Sequence, residues 1–156
     1  MELPDPDFSC FPKDRYAVLC RFHPNQALAG GNRDSDYPQE GIFDLLQMCD
    51  YFITDYSSLA LEAAAMDKPT LFYLPDDERY RSENGVNIDL FQVMPHCTFT
   101  AQEDLFRMID SGAYPMEALQ TYKKMYLPQD LGHATEKITE LILQDDRTLK
   151  KEAAAC

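Results

Sequence analysis

Basic residues are scarce in this sequence: 14 Lys and Arg stand against 27 Asp and Glu, a formal net charge of -13 over 156 residues. Phosphate backbones and anionic lipid surfaces are held by clustered Lys and Arg, so the balance argues against both as partners. Any run of about 18 apolar residues is also missing, so no bilayer span is expected. The start, Met1 to Asp7, has neither the basic opening nor the apolar stretch of a secretory signal, and the expected location is the cytoplasm. Cys-x-x-Cys pairs are absent. The five cysteines (Cys10, Cys20, Cys49, Cys97 and Cys156) are scattered, as are His23, His96 and His133, so neither a disulfide framework nor a metal site is expected. Cys20, Cys49 and Cys97 lie in or beside apolar runs, where a reduced cysteine packs as a small hydrophobe.

What is present suffices for a core: hydrophobic residues make up 45% of a chain whose length suits one domain. Residues 1–14, with Pro4, Pro6 and Pro12, read as an irregular lead-in; residues 15–146 as the domain; residues 147–156 as a tail. Tyr16 to Phe22 is an apolar run closed by His23-Pro24, a candidate buried strand. Residues 25–39 hold Gly30-Gly31, Asn32 and Pro38 and read as loop. Ile42, Leu45, Leu46 and Cys49 then fall on one face of a helix, and Tyr51–Thr54 makes a second short strand.

Ser57-Ser58 opens an alanine-rich helix, Leu59 to Met66, that stops ahead of Lys68-Pro69, because proline disfavours helix in the residue before it. Thr70 to Leu74 is a third apolar strand. The order strand, helix, strand, helix, strand implies a parallel sheet covered by helices, an α/β and doubly wound fold. Ala17–Phe22, Tyr51–Thr54 and Thr70–Tyr73 are expected as its central, neighbouring strands. Further on, Asn84-Gly85 signals a turn, Thr100 and Glu103 match a capping box, and helices are expected over Met116–Met125 and from Gly132 through Ile142.

In an open parallel sheet, ligands bind at the carboxyl ends of the strands, where helices begin. Three polar groups fall there: His23-Pro24-Asn25, Thr54 to Ser58, and Asp76-Asp77. The N–H groups at Ser57, Ser58 and Leu59, with the two hydroxyls, suit a phosphate; alternatively Ser58 is only a helix cap. Glu62, one turn along the same face, places a carboxylate where it can accept from ribose hydroxyls, or it is an ordinary surface residue. Asp76-Asp77-Glu78 follows Pro75 as a turn does, and three adjacent acids do not converge on one ion.

The stretch from Ser57 through Glu62, Met66 and Pro69 to Phe72 resembles the nucleotide-binding segment of GT-B transferases. More narrowly, Phe52–Ser58 and Asp67–Tyr73 resemble the CDP-glycerol glycerophosphotransferase family, which primes or polymerises teichoic acids. Arg21 to Asn25, Asp36-Tyr37, Cys49-Asp50, Glu78-Arg79-Tyr80, Asn84-Gly85 and Gly132 to Glu136 match in the same order, so the likeness runs from about residue 16 to 144. Departures are Pro95-His96-Cys97 where the family tends to Pro-Gly-Pro, Leu131 before the last glycine, and Glu62 in place of an aspartate. Only the second of the family's two Rossmann-like halves is represented, without its opening strand before Tyr16.

The resemblance implies a Rossmann-like three-layer parallel sheet, the C-terminal half of a GT-B transferase, with no cofactor and no obligatory metal. It implies transfer of glycerol phosphate from CDP-glycerol or a related CDP-polyol to a lipid-linked polyol-phosphate acceptor, reached through a separate half, with release of CMP. Donor-binding residues would be Asp55, Ser57, Ser58 and Glu62, with Gly132, His133, Ala134 and Thr135 as a second phosphate-facing turn, and His23 for phosphate contact or proton transfer. Action at the inner face of the membrane would then come through other domains. A transferase using another nucleotide sugar, and a non-catalytic nucleotide-binding module, stand as alternatives.

Overall fold

The computed structural model describes residues 11–12, 14–21, 36–129 and 131–154. In chain order its elements are α1 (Ile42–Met48), β1 (Phe52–Thr54), α2 (Leu59–Ala65), β2 (Thr70–Tyr73), α3 (Asp77–Asn84), α4 (Leu90–Val93), β3 (Thr98–Phe99), α5 (Gln102–Ser111), α6 (Met116–Tyr126) and α7 (Ala134–Ala154). The three strands form one parallel sheet in the order β1-β2-β3. Phe52 faces Thr70 and Thr54 faces Phe72 in the first pair; Phe72 faces Thr98 and Tyr73 faces Phe99 in the second. Among the described residues no helix is long and apolar enough to cross a membrane.

β2 is central because its sequence tolerates burial on both sides. Thr70, Leu71 and Phe72 are buried in succession, and since consecutive strand residues point to opposite faces, both faces of β2 are covered. The core around it joins Ala60 and Ala64 of α2, Met94, Cys97, Leu105 and Ile109 of α5, and Leu119 and Tyr122 of α6. Alanines on α2 let that helix approach the sheet closely, and Tyr122 meets Phe72 edge-on at 6.1 Å. Burial pushes the Cys97 thiol up to about 11, and this cysteine packs as a hydrophobe.

Two polar details fix the start of β2. The Tyr114 hydroxyl accepts from the Thr70 N–H at 3.1 Å and donates to the Thr70 carbonyl at 3.0 Å, satisfying both groups of a fully buried residue. At the end of α2, Asp67 adopts φ 56, its N–H bonds the Ala64 carbonyl, and the Lys68 N–H bonds the Ala63 carbonyl. That pair of bonds is a Schellman motif, with aspartate in the left-handed position usually given to glycine. The helix therefore ends through its own cap at Ala65, one residue short of the Met66 expected from Pro69 alone. Lys68 Nζ then reaches back to the carbonyls of Gln47 and Cys49, at 2.7 and 3.0 Å, where α1 leaves its last carbonyls unpaired.

The strand expected over Ala17–Phe22 is not formed across its described part. Residues 16–21 are coil, and Ala17, Val18 and Leu19 are exposed. Their backbone is served by a loop instead: the Cys20 N–H donates to Asp36 Oδ2 at 2.7 Å, and the Asp36 N–H donates to the Cys20 carbonyl at 2.9 Å. Arg21 adds bonds to the carbonyls of Tyr37 and Glu40. An apolar run becomes a buried strand only where a sheet edge accepts it. Phe22 lies outside the described residues. β3 supplies the third strand in its place.

Other boundaries shift for local reasons. α1 forms as its apolar spacing requires, with Leu45 and Leu46 buried and Met48 exposed. Thr100 makes no capping bond; Ala101 holds the N-cap position of α5, and no side chain caps it. α6 covers the expected span and extends to Tyr126. α3 rises where only a turn was expected. It buries no residue and is held by its ends, with Asp77 and Glu78 in the first turn and Gly85 at φ 72 beyond the last.

Candidate functional site

The carboxyl ends of β1 and β2 carry the polar groups that the sequence points to. Thr54 ends β1, and the chain turns through Asp55, Tyr56, Ser57 and Ser58 into α2. Two side chains shape that turn. Asp55 Oδ1 accepts from the Ser57 N–H at 3.1 Å, and Ser57 Oγ accepts from the Leu59 N–H at 3.3 Å. These are successive i to i+2 bonds, the local alternative that Asp and Ser offer a backbone about to enter a helix.

The two readings of the serines are thereby separated. Ser58 occupies the N-cap position but its hydroxyl makes no capping bond. The capping-type bond comes from Ser57 instead. The N–H groups of Ser57 and Leu59, expected as free phosphate donors, have partners within the turn. Asp55, Ser57, Ser58 and Glu62 are all exposed, and among the described residues no hydrogen bond or ion pair engages the Glu62 carboxylate. Serine hydroxyl, turn N–H and carboxylate thus share one accessible rim.

Behind the rim stands a network the sequence did not suggest. Tyr56 is the turn residue that points inward; its hydroxyl donates to Asp77 Oδ1 at 2.7 Å, and its ring stacks on Tyr80 at 3.9 Å and 8°. Asp77 Oδ2 accepts from Arg81 Nε at 2.7 Å, and Arg81 also reaches Asp89 Oδ1 at 3.2 Å. Burial and the Asp77 hydrogen bond both drive the Tyr56 hydroxyl well above the usual tyrosine range, so it stays a neutral donor. Burial works to raise the Asp77 carboxyl, but the bonds from Arg81 and Tyr56 outweigh it and leave the group below the usual carboxylate range. Asp76 is paired with Arg79 at 3.3 Å. Arg79 and Arg81, the cations of α3, are therefore committed to acids.

The other described candidates, Gly132 to Thr135, lie at the start of α7. Gly132, at φ 91, and His133 precede α7; His133 Nδ1 lies 3.0 Å from Glu136, and both side chains are largely exposed. Among the described residues no hydrogen bond or ion pair joins Gly132, His133, Ala134 or Thr135 to residues 55–62. His23 lies outside the described residues. Sequence reasoning placed Asp77 at a strand end without giving it a role and passed over Tyr56 and Arg81; the signals for those two were an aromatic inside a polar turn and a basic residue four places after Asp77.

Comparison with known proteins gives this geometry a context. A family model described as CDP-Glycerol:Poly(glycerophosphate) glycerophosphotransferase matches residues 7–144. The chain is 30% identical over 139 residues to a teichoic acid glycerol-phosphate primase of Staphylococcus aureus, covering 85% of this chain and 35% of that protein. It is 31% identical over 104 residues to a teichoic acid glycerol-phosphate primase of Bacillus subtilis, covering 64% and 27%. It is 24% identical over 156 residues to a teichoic acid poly(ribitol-phosphate) polymerase of Bacillus spizizenii, covering 89% and 25%. The chain thus spans only about a quarter to a third of the length of these relatives.

Proposed function

The chain belongs to the CDP-glycerol:poly(glycerophosphate) glycerophosphotransferase family, and from that premise we propose that it binds the nucleotide-activated polyol donor, as the Rossmann-like half of a GT-B-type transferase. The observation that carries this reading is the exposed rim of Asp55, Ser57, Ser58 and Glu62 at the carboxyl end of β1, inside the family match. Ser57 and Ser58 face the donor's diphosphate, Asp55 holds the turn, and Glu62 accepts from ribose hydroxyls. With Arg79 and Arg81 already paired, the diphosphate is met at this rim by the serine hydroxyls and the Ser58 N–H rather than by cations of α3.

The reaction proposed for the assembled enzyme is transfer of glycerol phosphate to a teichoic-acid-type acceptor. An acceptor hydroxyl oxygen bonds to the donor's β-phosphorus, the bond from that phosphorus to the bridging oxygen breaks, and CMP leaves with the electron pair. The hydroxyl proton passes to a base, for which His23 is the candidate. Gly132, His133, Ala134 and Thr135 form a second phosphate-facing turn in this reading, and the acceptor is lipid-linked polyol phosphate at the inner face of the membrane. A second reading is favoured by the quarter-to-third coverage of the relatives: the chain binds donor without turning it over. Positioning of the second substrate can supply roughly 7–11 kcal/mol of a barrier, and that part is then contributed elsewhere.

Titration calorimetry with CDP-glycerol, CDP-ribitol, a UDP-sugar, CMP and UMP tests the reading. CDP-polyol binding is expected, and Ser58→Ala is the informative variant because its hydroxyl makes no capping bond. Affinity should fall by roughly 1.5–3 kcal/mol with stability unchanged. A loss of about 1 kcal/mol in stability with unchanged affinity would instead mark a cap. CMP release from CDP-glycerol, measured with and without a glycerol-phosphate primer, decides between the two readings: robust primer-dependent release means the chain is catalytic by itself.

A further inference from the structure

Tyr56 sits between the residues of the proposed donor rim and touches none of their ligand-facing groups. It links three separate segments. Through Asp77 it joins the turn after β1 to the start of α3, and through Arg81 and Asp89 it joins both to the N-cap of α4, where Asp89 Oδ1 also accepts from the Phe91 N–H at 3.2 Å. The ring of Tyr56 lies flat on Tyr80, so the residue is fixed both at its hydroxyl and along its face. The side chains of Asp55 and Ser57 have no comparable hold; their bonds within the turn reach only two residues along the chain.

Short i to i+2 bonds shape a turn but do not fix its orientation against the sheet. Tyr56 does, because its partners belong to the segment that follows the neighbouring strand. The network's acids and cation satisfy one another, with Asp77 serving Tyr56 and Arg81, and Arg81 serving Asp77 and Asp89. It offers no spare cation to a ligand and is suited to holding geometry. We propose that Tyr56, clamped by Asp77 and Arg81, is a positioning residue that sets the Asp55–Ser58 turn for the donor's diphosphate. The proposal rests on the donor-binding reading above.

The test compares two ligands on the full chain. Tyr56→Phe keeps the ring and its stack on Tyr80 and removes only the hydroxyl. Affinity for CDP-glycerol should fall about tenfold, the scale of one hydrogen bond to a charged group, while affinity for CMP, which lacks the β-phosphate, changes by less than about twofold. Arg81→Lys, which retains a cation near Asp77, should fall between wild type and Tyr56→Phe. Equal losses for both ligands, tracking a drop in Tm, would overturn the proposal in favour of general destabilisation. Unchanged CDP-glycerol affinity in Tyr56→Phe, with wild type binding normally, would also overturn it and leave the donor site standing. Failure of wild type to bind CDP-glycerol would remove both at once.

Discussion

Helices α5 and α7 are both amphipathic, yet Leu105 and Ile109 of α5 are 0% and 5% exposed while Ile138, Leu141 and Ile142 of α7 are 57%, 66% and 63% exposed. The periodicity that marks an apolar face is present in each. What differs is cover: α5 packs on β2 and β3, whereas the described side chains of α7 all face solvent. A 3.6-residue pattern identifies the side of a helix that gains from burial, and only the fold decides whether the burial occurs. Apolar area left in water contributes nothing at the roughly 25 cal/mol per Å² that buried area supplies.

The contrast is broken or sharpened by substitutions that remove similar atoms from the two settings. Leu105→Ala should cost about 2–5 kcal/mol in urea unfolding, because a fully buried leucine leaves both lost transfer energy and a cavity. Tyr114→Phe comes next, at about 1–3 kcal/mol. It deprives the buried N–H and carbonyl of Thr70 of their shared hydroxyl, so the same interior should prove sensitive to one polar atom.

Asp67→Asn should cost less. The carboxyl bonds Lys123 Nζ at 2.6 Å and Gln120 Nε2 at 2.9 Å, which hold it below the usual carboxylate range. More than half of the Asp67 side chain is exposed, so screening limits the pair to under about 1 kcal/mol. Asparagine tolerates the left-handed backbone, so the charge is what changes. A carboxyl depressed in the folded state stabilises above its unfolded value and loses that contribution as pH falls through the folded one. The gap between wild type and variant should therefore be present at pH 7 and close as pH falls below the usual carboxylate range; a gap that persists in acid would assign it to something other than charge. Leu141→Ala should move stability by no more than about 0.5 kcal/mol. A cost matching that of Leu105→Ala would mean that α7 is covered after all.

The same distinction explains what could be read from the sequence. β1, β2, α2 and α6 were legible because their apolar residues follow a period and join one core, and α1 because its spacing sets Leu45 and Leu46 on one buried face. Ala17–Leu19 is also an apolar run, but among the described residues no strand pairs with it, and the expected strand is not formed there. α3 went unseen for the opposite reason: it buries nothing, so no period could reveal it. β3 has two residues, too few for any pattern. At the candidate site, Ser57, Ser58 and Glu62 were visible because helix geometry relates near neighbours. The Tyr56 to Asp77 bond joins residues on two different strand ends, and no local rule reaches that far.

Lys68 has a consequence in time rather than in energy. Its ammonium ties the end of α1 to the segment entering β2, so the connections into β1 and β2 meet at one side chain. Amide hydrogens of Leu71 and Phe72, beneath that tie, should exchange with solvent only when the whole chain opens. Those of Ser57 and Leu59, held by single bonds to side chains at the opposite end, should exchange through local openings that are far more frequent. The molecule would then keep a slow end and a quick end, and its quick end could rearrange many times during one lifetime of the strands beneath it.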